Sequence, residues 1–463
     1  MYIDELVKET NVTRTENGAK TLKSTTNPLV DFFALAGAMR NDPVMGLDLF
    51  KKAFAADRKV AMRILFYLRD VRGGQGERKL FRVCLRYLSE QEPKVVQQVV
   101  NLIPEYGRFD DLYVVDSKFY IELVKQQLEN DKKSDTPSLL AKWLPSENAS
   151  SKKSKQMARN LAKLLGISSK EYRKTLSSLR KKITLVEHKM SNREFGAIEY
   201  GKVPSQAALK YRKSFFRNDE QRYQSYLDSV TKGEEKINTS TLYPYQVYKA
   251  VGTPGANELW ANLPDYTRGK NALVVADVSG SMTGDPMAVS VSLAMYFAER
   301  NKGQFKDYFM TFSGSPSLQK INGLTLRDKF NSIERAEWGF NTDLEAVFTL
   351  LVNTAVKNNT PVSEMPETIY IISDMEFDYC TKDVTNYESM SEKYRIAGYE
   401  MPNVVFWNVA ARNKQVPVTS TTRGVTLVSG YSASAFQLAV ENKTPEEVML
   451  EVINSARYEV IEV

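Results

Sequence analysis

Side chains with oxygen ligands follow apolar segments in the second half of the chain. Asp277, Ser279 and Ser281 come directly after the run ALVVA, at alternate positions that let three oxygens converge. Thr342 precedes a helical pattern, and Asp374 follows the run TIYIIS. One or two carboxylates with several hydroxyls suit a hard cation that keeps some water, and Mg²⁺ fits better than Zn²⁺. These five residues are therefore the predicted ligands of Mg²⁺ or another hard divalent cation.

Other roles for the same residues remain open. Ser279 and Ser281 can cap the following helix and Asp374 can stabilise a turn, but these roles do not explain the grouping. A phosphoaspartyl enzyme is another interpretation of Asp277, yet the two-residue step reaches Ser279 instead of the second carboxylate that such chemistry needs. The chain has one histidine, His188, which argues against His-based triads and metalloprotease motifs. We therefore expect no enzymatic activity and no catalytic residues.

The pattern from Lys270 onward predicts a doubly wound sheet. Short apolar runs alternate there with helical patterns, and the runs are NALVVAD, KDYFMTF, ETIYIIS, NVVFWNVA and GVTLVS. Wholly apolar strands are typical of buried parallel sheets, in which the intervening helices are crossovers. Ligands gather beyond the carboxyl ends of such strands. The oxygen-bearing residues are therefore expected to meet at one edge of the sheet.

The first part of the chain has a different pattern. From Asn27 to about Leu128 the apolar residues recur at helical spacing, in segments of about 10 to 15 residues that break at prolines and glycines. Stacked amphipathic helices of this length predict an α-solenoid, although no clean sequence repeat is visible. The expected division is an α-helical domain over residues 1–269 and an α/β domain over residues 270–463.

Charge is distributed very unevenly between these parts. The 463-residue chain has a net charge of +7, made up of +14 in residues 1–269 and −7 in residues 270–463. Lys/Arg residues neutralise phosphates, so the basic part predicts RNA binding. The predicted RNA-binding residues are Lys152, Lys153, Lys155, Arg159, Arg173, Lys174, Arg180, Lys181 and Lys182. A solvated helix face, or attraction between the two halves, remains the alternative explanation of this charge.

Two further groups in the basic part are weaker candidates for RNA contact. Aromatic residues can stack bases, although at helical spacing they more often belong to a core, and these are Tyr172, Tyr211, Phe215 and Phe216. A glycine turn in RDVRGGQGER can offer backbone amides to a phosphate beside Arg69, Arg72 and Arg78. Salt bridges between helices explain these arginines equally well.

Targeting and redox features point to a cytoplasmic location. No apolar run approaches the roughly 20 residues that span a bilayer, so no membrane partner is expected. The first residues, MYIDELVKETNVTRTENGAK, lack the pattern of a secretory signal. Cys84 and Cys380 are the only cysteines and lie far apart in sequence, which favours two free thiols over a disulfide or a zinc site.

Several segments resemble known families. DVSGSM at 277–282, NTD at 341–343 and SDMEFD at 373–378 resemble the metal-ion-dependent adhesion site of von Willebrand factor A domains. Together with the helical first part, the chain is similar to the Ro autoantigen family, whose helical ring is called the TROVE domain. A closer resemblance is to an uncharacterised family of bacterial, phage and plant proteins related to Ro. It rests on NGAKTLKSTTNPLVDFF, LRDVRGGQGERKLF, AKWLPS, YRKTLSSLRKKITLVEHKMS and FWNVAAR.

This resemblance implies an α + α/β architecture. An N-terminal HEAT-like repeat ring or solenoid would be followed by a doubly wound, Rossmann-like von Willebrand A domain. It also implies a non-catalytic scaffold that binds small structured or misfolded non-coding RNA. The alternative is a metal-dependent protein-interaction or assembly module without nucleic acid, whose metal site would hold an acidic residue of a protein ligand.

Overall fold

A computed structural model describes residue 6 and residues 9–183, 185–267, 271–312, 315–336, 341–381, 384–439 and 442–463. It confirms a helical N-terminal region and a C-terminal parallel sheet. The HEAT-like repeats and the assignment to von Willebrand A domains stay predictions. Among the described residues, no helix has the length and apolar character needed to cross a bilayer.

The described part of the N-terminal region contains fifteen α-helices between Pro28 and Ala261. The first eight are α1 Pro28–Leu35, α2 Pro43–Ala56, α3 Arg58–Arg69, α4 Lys79–Gln91, α5 Pro93–Val99, α6 Ile103–Tyr106, α7 Ser117–Lys133 and α8 Leu140–Trp143. The next seven are α9 Lys152–Leu164, α10 Ser169–Lys182, α11 Val186–Ser191, α12 Ser205–Asn218, α13 Glu220–Thr231, α14 Pro244–Tyr248 and α15 Ala256–Ala261.

Local sequence signals account for where these helices begin. Proline occupies the first turn of α1, α2 and α5, where its missing N–H costs no hydrogen bond. The Asn27 side chain caps α1, and the Asp42 side chain caps α2 through the N–H groups of Val44 and Met45. The Ser168 side chain caps α10 through the N–H of Glu171. The predicted breaks at prolines 43 and 93 are therefore helix starts.

The C-terminal region is built on a six-stranded sheet. Its strands are β3 Ala272–Ala276, β4 Tyr308–Thr311, β5 Leu318–Lys320, β6 Thr368–Ser373, β7 Asn403–Asn408 and β8 Val425–Ser429. Their order is β5-β4-β3-β6-β7-β8, and all neighbours are parallel except β4 and β5. The helices are α16 Asp285–Arg300, α17 Leu326–Glu334, α18 Leu344–Asn358, α19 Asn386–Ile396, α20 Pro445–Ile453 and α21 Ala456–Glu459. Each apolar run named above contains a strand.

The two faces of this sheet pack against different parts of the helical region. Leu273 and Val275 of β3 join a core that contains buried residues from helices α1 to α10. Val274 of β3 points the other way and joins a second core with residues 198–263. Side chains alternate between the faces of a strand, and the same division holds along β6 and β7. Residues of the helical region therefore join the cores on both faces of the sheet, together with the sheet's own helices α16 to α20.

A short β-hairpin precedes the helices. It lies within residues 1–269, for which the sequence predicts an α-helical domain. Strands β1, Val12–Arg14, and β2, Lys20–Leu22, are antiparallel, and Leu22 also pairs with Val416. The hairpin therefore packs on the C-terminal domain although it lies in the N-terminal sequence. The helical periodicity of the sequence begins only at Asn27, and a three-residue strand has no periodicity of its own and is defined by its long-range partner.

The two ends of the helical region meet beside the sheet. Tyr243, just before α14, donates from its hydroxyl to the backbone oxygen of Gln75 at 2.9 Å. Gly76 has a φ of +68°, and a Cβ there would lie 2.0 Å from the Tyr243 hydroxyl oxygen. Only glycine fits this position, because it needs both the left-handed backbone and the empty space.

Candidate metal centre and nucleic-acid interface

The turn after β3 groups one carboxylate with two hydroxyls. Asp277 is fully buried, and its Oδ1 accepts a hydrogen bond from the Ser279 backbone N–H at 2.8 Å. The hydroxyl oxygens of Ser279 and Ser281 lie 2.9 Å apart. The Ser279 side chain makes no capping hydrogen bond to the short 3-10 helix that follows, Gly280–Met282. The two hydroxyls therefore contact each other, and the Ser279 hydroxyl does not cap the backbone of the 3-10 helix.

Asp374 reaches the same end of the sheet from β6. Ala276 and Ile372 are paired in neighbouring strands, and Ser373 donates from its hydroxyl to Asp277 Oδ2 at 2.7 Å. The Asp374 side chain is completely buried, and its Oδ2 has no hydrogen-bond partner among the described residues. The Arg412 Nη2 lies 3.5 Å from that oxygen. A buried carboxylate with so little compensation is unfavourable unless a positive charge neutralises it.

Electrostatics at this edge favour a cation. Burial, with a smaller contribution from the nearby charge of Asp374, raises the pKa of Asp277 to about 6. Burial also raises the pKa of Glu376, two residues after Asp374. A group of three or more His, Cys, Asp or Glu side chains arranged to hold a metal is not found within the described ranges. The donor set of two carboxylates and two hydroxyls nonetheless has the chemistry that Mg²⁺ prefers.

Thr342 lies on the loop before α18 and has other partners. Its hydroxyl donates to the Glu376 backbone oxygen at 2.8 Å and lies 3.2 Å from Asp378 Oδ1. Its backbone N–H donates to Asp378 Oδ2 at 2.8 Å. These bonds hold Thr342 against residues 376–378. Thr342 is therefore connected to the other predicted ligands through the segment that follows Asp374.

Residues that the sequence did not indicate complete this edge. Asn17 of the β-hairpin donates from its side chain to the Glu376 backbone oxygen at 2.7 Å. Asn413 donates to Glu376 Oε1 at 2.6 Å, and Arg412 pairs with Glu16 at 2.7 Å. The segments NGAKTLKSTTNPLVDFF, SDMEFD and FWNVAAR carried the signals near them. None of the three reveals that residues 15–18 lie against the loop after Asp374.

Helices α9 and α10 present most of the predicted RNA-binding residues to solvent. Each helix buries one apolar face, through Leu161 in α9 and through Leu176 in α10. The side chains without an ion pair or hydrogen bond to any described residue are Lys152, Lys153, Lys155, Arg159, Lys174 and Lys181, and Lys163 and Lys170 share this property. Glu171 is the only acidic residue in the two helices. The exposed face of α9 and α10 is therefore strongly basic.

Three of the predicted RNA-binding residues have partners within the protein. Arg180 donates to the backbone oxygens of Ala141 and Leu144, each at 2.8 Å, and to Ser146 Oγ at 2.6 Å. Burial lowers the pKa of Arg180. Every nitrogen of the guanidinium is bonded to the segment around α8, which is a structural role, and its assignment as an RNA contact stays a prediction.

The other two partnered residues remain at the surface. Arg173 pairs with Glu147 at 3.2 Å, and Lys182 donates to the Ser134 backbone oxygen at 2.9 Å. Both side chains stay exposed. Glu147 is itself almost completely buried, whereas the partner of Lys182 is a single backbone oxygen. Because both cationic side chains are exposed, both residues remain available to a polyanion.

The two weaker candidate groups are mostly structural. Tyr172 and Phe215 are each 1% exposed and belong to the cores. Arg69 is buried against Asp111. The amides in the glycine turn bond inward: Gln75 N–H donates to Tyr67 O, Gly76 N–H to Asp70 O and Glu77 N–H to Leu68 O. This turn therefore caps the carboxyl end of α3, and those three amides are not free for a phosphate.

The fold and the site define a class of protein. A helical region joins the cores on both faces of a largely parallel sheet, whose carboxyl end carries two buried carboxylates and two neighbouring hydroxyls. The chain belongs to the family described as domain of unknown function DUF2828, whose model matches residues 15–105 and 94–278. A second model, domain of unknown function DUF7788, matches residues 271–460.

Two individual proteins are similar to this chain. "Uncharacterized protein L728" of Acanthamoeba polyphaga mimivirus is 29% identical over 96% of this chain and 87% of its own length. A solved structure, the crystal structure of the Deinococcus radiodurans Ro (RSR) protein, aligns with a TM-score of 0.38 and 12% identity. That alignment covers 93% of this chain and 99% of the Deinococcus chain.

Proposed function

We propose that the protein is a non-catalytic cytoplasmic scaffold of Ro-like architecture that binds small structured or misfolded non-coding RNA. The observation that supports this best is the basic face of α9 and α10, where most cations have no partner among the described residues. Like charges held close together in neighbouring positions are unfavourable. A polyanion relieves that repulsion and gains affinity from released counterions.

Reversing three of these charges is expected to reduce RNA binding by about 100-fold at low salt. The variant is Lys152→Glu, Lys153→Glu and Lys155→Glu, which leaves the structural Arg180 intact. Binding of a small structured RNA, measured against salt concentration, should also show a slope smaller by about 2 to 3. Equal retention of RNA by the variant and the wild type would contradict this surface.

A control variant separates local from overall charge. It carries Lys125→Glu, Lys302→Glu and Lys357→Glu, three exposed positions outside α9 and α10 that change the net charge by the same amount. We expect this control to keep most of its RNA affinity. A loss equal to that of the α9 variant would mean that the protein binds RNA only through its overall charge.

We also propose that Asp277, Ser279, Ser281 and Asp374 hold Mg²⁺, with Thr342 positioned by the adjoining segment. The buried Asp374 Oδ2 supports this, because it has no hydrogen-bond partner among the described residues and only the Arg412 guanidinium at 3.5 Å as a counter-charge. When bound, the cation would supply a positive charge that attracts an anionic oxygen. The same observation favours the second candidate function, a metal-dependent protein-interaction or assembly module without nucleic acid, whose ligand would bring an acidic residue.

Saturating Mg²⁺ is expected to stabilise the protein against thermal unfolding. At a concentration 100 times the Kd, binding to the folded state alone adds about 2.7 kcal/mol. Asp277→Asn should abolish the difference between melting curves with and without Mg²⁺. Asp228→Asn, on the exposed side of α13, should keep it. An unchanged Mg²⁺ effect in the Asp277 variant would remove Asp277 from the site.

A further inference from the structure

The tip of the N-terminal hairpin lies on the loop that carries Asp374. Thr15 Oγ1 donates to the Phe377 backbone oxygen at 2.7 Å, and the Glu16 N–H donates to Glu376 Oε2 at 2.6 Å. The Tyr379 N–H donates to the Asn17 backbone oxygen at 3.2 Å. Thr15 itself is buried. These contacts place residues 15–17 directly over the segment that follows the candidate ligands.

This contact brings together groups of the same charge. Glu376 Oε2 accepts from the Glu16 N–H at 2.6 Å, and Glu376 follows Asp374 by two residues, so three carboxylates lie on this loop and the hairpin tip. The Arg412 guanidinium lies between the hairpin tip and the loop that carries Asp374. Its Nη1 is 2.7 Å from Glu16 Oε2, and its Nη2 is 3.5 Å from Asp374 Oδ2. One monovalent cation between several carboxylates leaves a net negative cluster. The docked hairpin therefore lies where a further cation would be most stabilising.

A second observation is independent of this charge count. The Asp374 side chain is 0% exposed, and its Oδ2 has no hydrogen-bond partner in the described part of the chain. Glu16 differs, since its side chain is 55% exposed and stands at the solvent edge of the cluster. The inner carboxylate is therefore covered, and Glu16 is the acidic side chain at the opening.

We infer that the N-terminal hairpin closes the candidate cation site in cis, with Glu16 in the place where an acidic side chain of a partner would lie. This closure rests on the proposed Mg²⁺ site. A segment of this chain, and not a partner protein, would occupy the open side of that site. The bound cation then fastens the hairpin to the C-terminal domain. A protein ligand at this site has to displace residues 15–18 first.

The geometry of the hairpin supports occupation in cis over an external ligand. Beyond its tip, the hairpin continues into Leu22, whose backbone exchanges two hydrogen bonds with Val416, at 3.0 and 2.9 Å. Thr21 Oγ1 also donates to the Val416 backbone oxygen at 2.9 Å. Displacing the tip therefore strains or breaks contacts along the whole hairpin, and the tip stays docked while these bonds hold.

Mg²⁺ titration of the full-length protein by calorimetry, paired with amide hydrogen exchange of residues 15–18, tests this inference. We expect Mg²⁺ to slow exchange of the Glu16 and Gly18 amides by about tenfold or more in the wild type. Glu16→Gln should weaken Mg²⁺ binding by about tenfold, the lower end of what outer ligand partners contribute. Glu9→Gln removes the same charge from the same segment outside the hairpin tip and should leave both measurements unchanged.

The outcomes separate the two levels of the proposal. A wild-type protein that binds no Mg²⁺ overturns the cation site and the hairpin closure together. Normal Mg²⁺ binding to Glu16→Gln, with Mg²⁺-independent exchange at residues 15–18, overturns the closure alone and leaves the site open to a partner. In Asp277→Asn, the effect of Mg²⁺ on hairpin exchange should disappear, which shows that the protection comes from this site.

Discussion

Replacement of Asp111 with alanine is expected to lower the free energy of unfolding by about 3–5 kcal/mol. The carboxylate is fully buried and pairs at 2.8 Å with Arg69, whose side chain is 2% exposed. It also accepts from Arg82 Nε at 2.6 Å and from the Arg108 backbone N–H at 3.0 Å. Alanine leaves the Arg69 guanidinium charged, buried and without its partner. Urea unfolding followed by circular dichroism measures the loss.

The neighbouring Asp110 provides a matched control. It pairs with Arg82 at 2.8 Å and with Arg108 at 2.9 Å, but its side chain is 20% exposed and both arginines are more exposed than Arg69. Water reaches these groups when the carboxylate is removed, so Asp110→Ala should cost about 1 kcal/mol or less. Similar losses in the two variants would show that burial does not distinguish these ion pairs.

Asp70→Ala is expected to cost about 3 kcal/mol, because Asp70 joins the helical region to the end of the chain. Its buried carboxylate accepts hydrogen bonds from the Arg457 guanidinium, with Nη2 at 2.7 Å, and from the Tyr458 hydroxyl at 2.9 Å. Hydrogen bonds to a charged group contribute more than neutral ones, and the Tyr458 hydroxyl would be left without an acceptor. Unfolding in urea at pH 7 tests this value.

The same residue predicts a dependence on pH. Burial alone would raise the pKa of Asp70, but hydrogen bonds from Arg457, from the Arg72 backbone N–H and from Tyr458 outweigh it and hold the pKa below 3.8. A lowered pKa means that this stabilisation is complete above pH 3.8 and is lost as the pH falls through the folded-state value. Asp70→Asn should therefore lose less stability than the wild type between pH 5 and pH 3, roughly the range in which aspartates titrate. Parallel pH profiles would refute this assignment.

The sequence was sufficient to predict the sheet and the proximity of Asp277 and Asp374 at one end of it. Apolar runs such as TIYIIS have no polar position to expose, so burial on both faces follows from composition. Asp277 and Asp374 then lie together because parallel strands end at the same edge. These inferences rest on local pattern and on topology, which a single chain displays directly.

Other parts of the site depend on contacts that no local pattern encodes. Arg180 belongs to a basic amphipathic helix, and its sequence neighbours do not show that Ala141, Leu144 and Ser146 take up its guanidinium. The hairpin at residues 12–22 needs Val416, nearly four hundred residues away, as its partner. Both features result from packing between distant segments, which composition and spacing leave undetermined.

The packing of an early helix on a late strand has a consequence for synthesis on the ribosome. Helix α1 packs against β8 and is translated before every strand of the sheet, so the apolar surface that it buries there emerges without its partner. At about 5–20 residues per second, the residues from β3 onward take roughly 10 to 40 seconds to appear. The nascent helical region therefore exposes this surface to chaperones and to aggregation for that interval, and the contact between α1 and β8 forms only after the C-terminal domain has been synthesised.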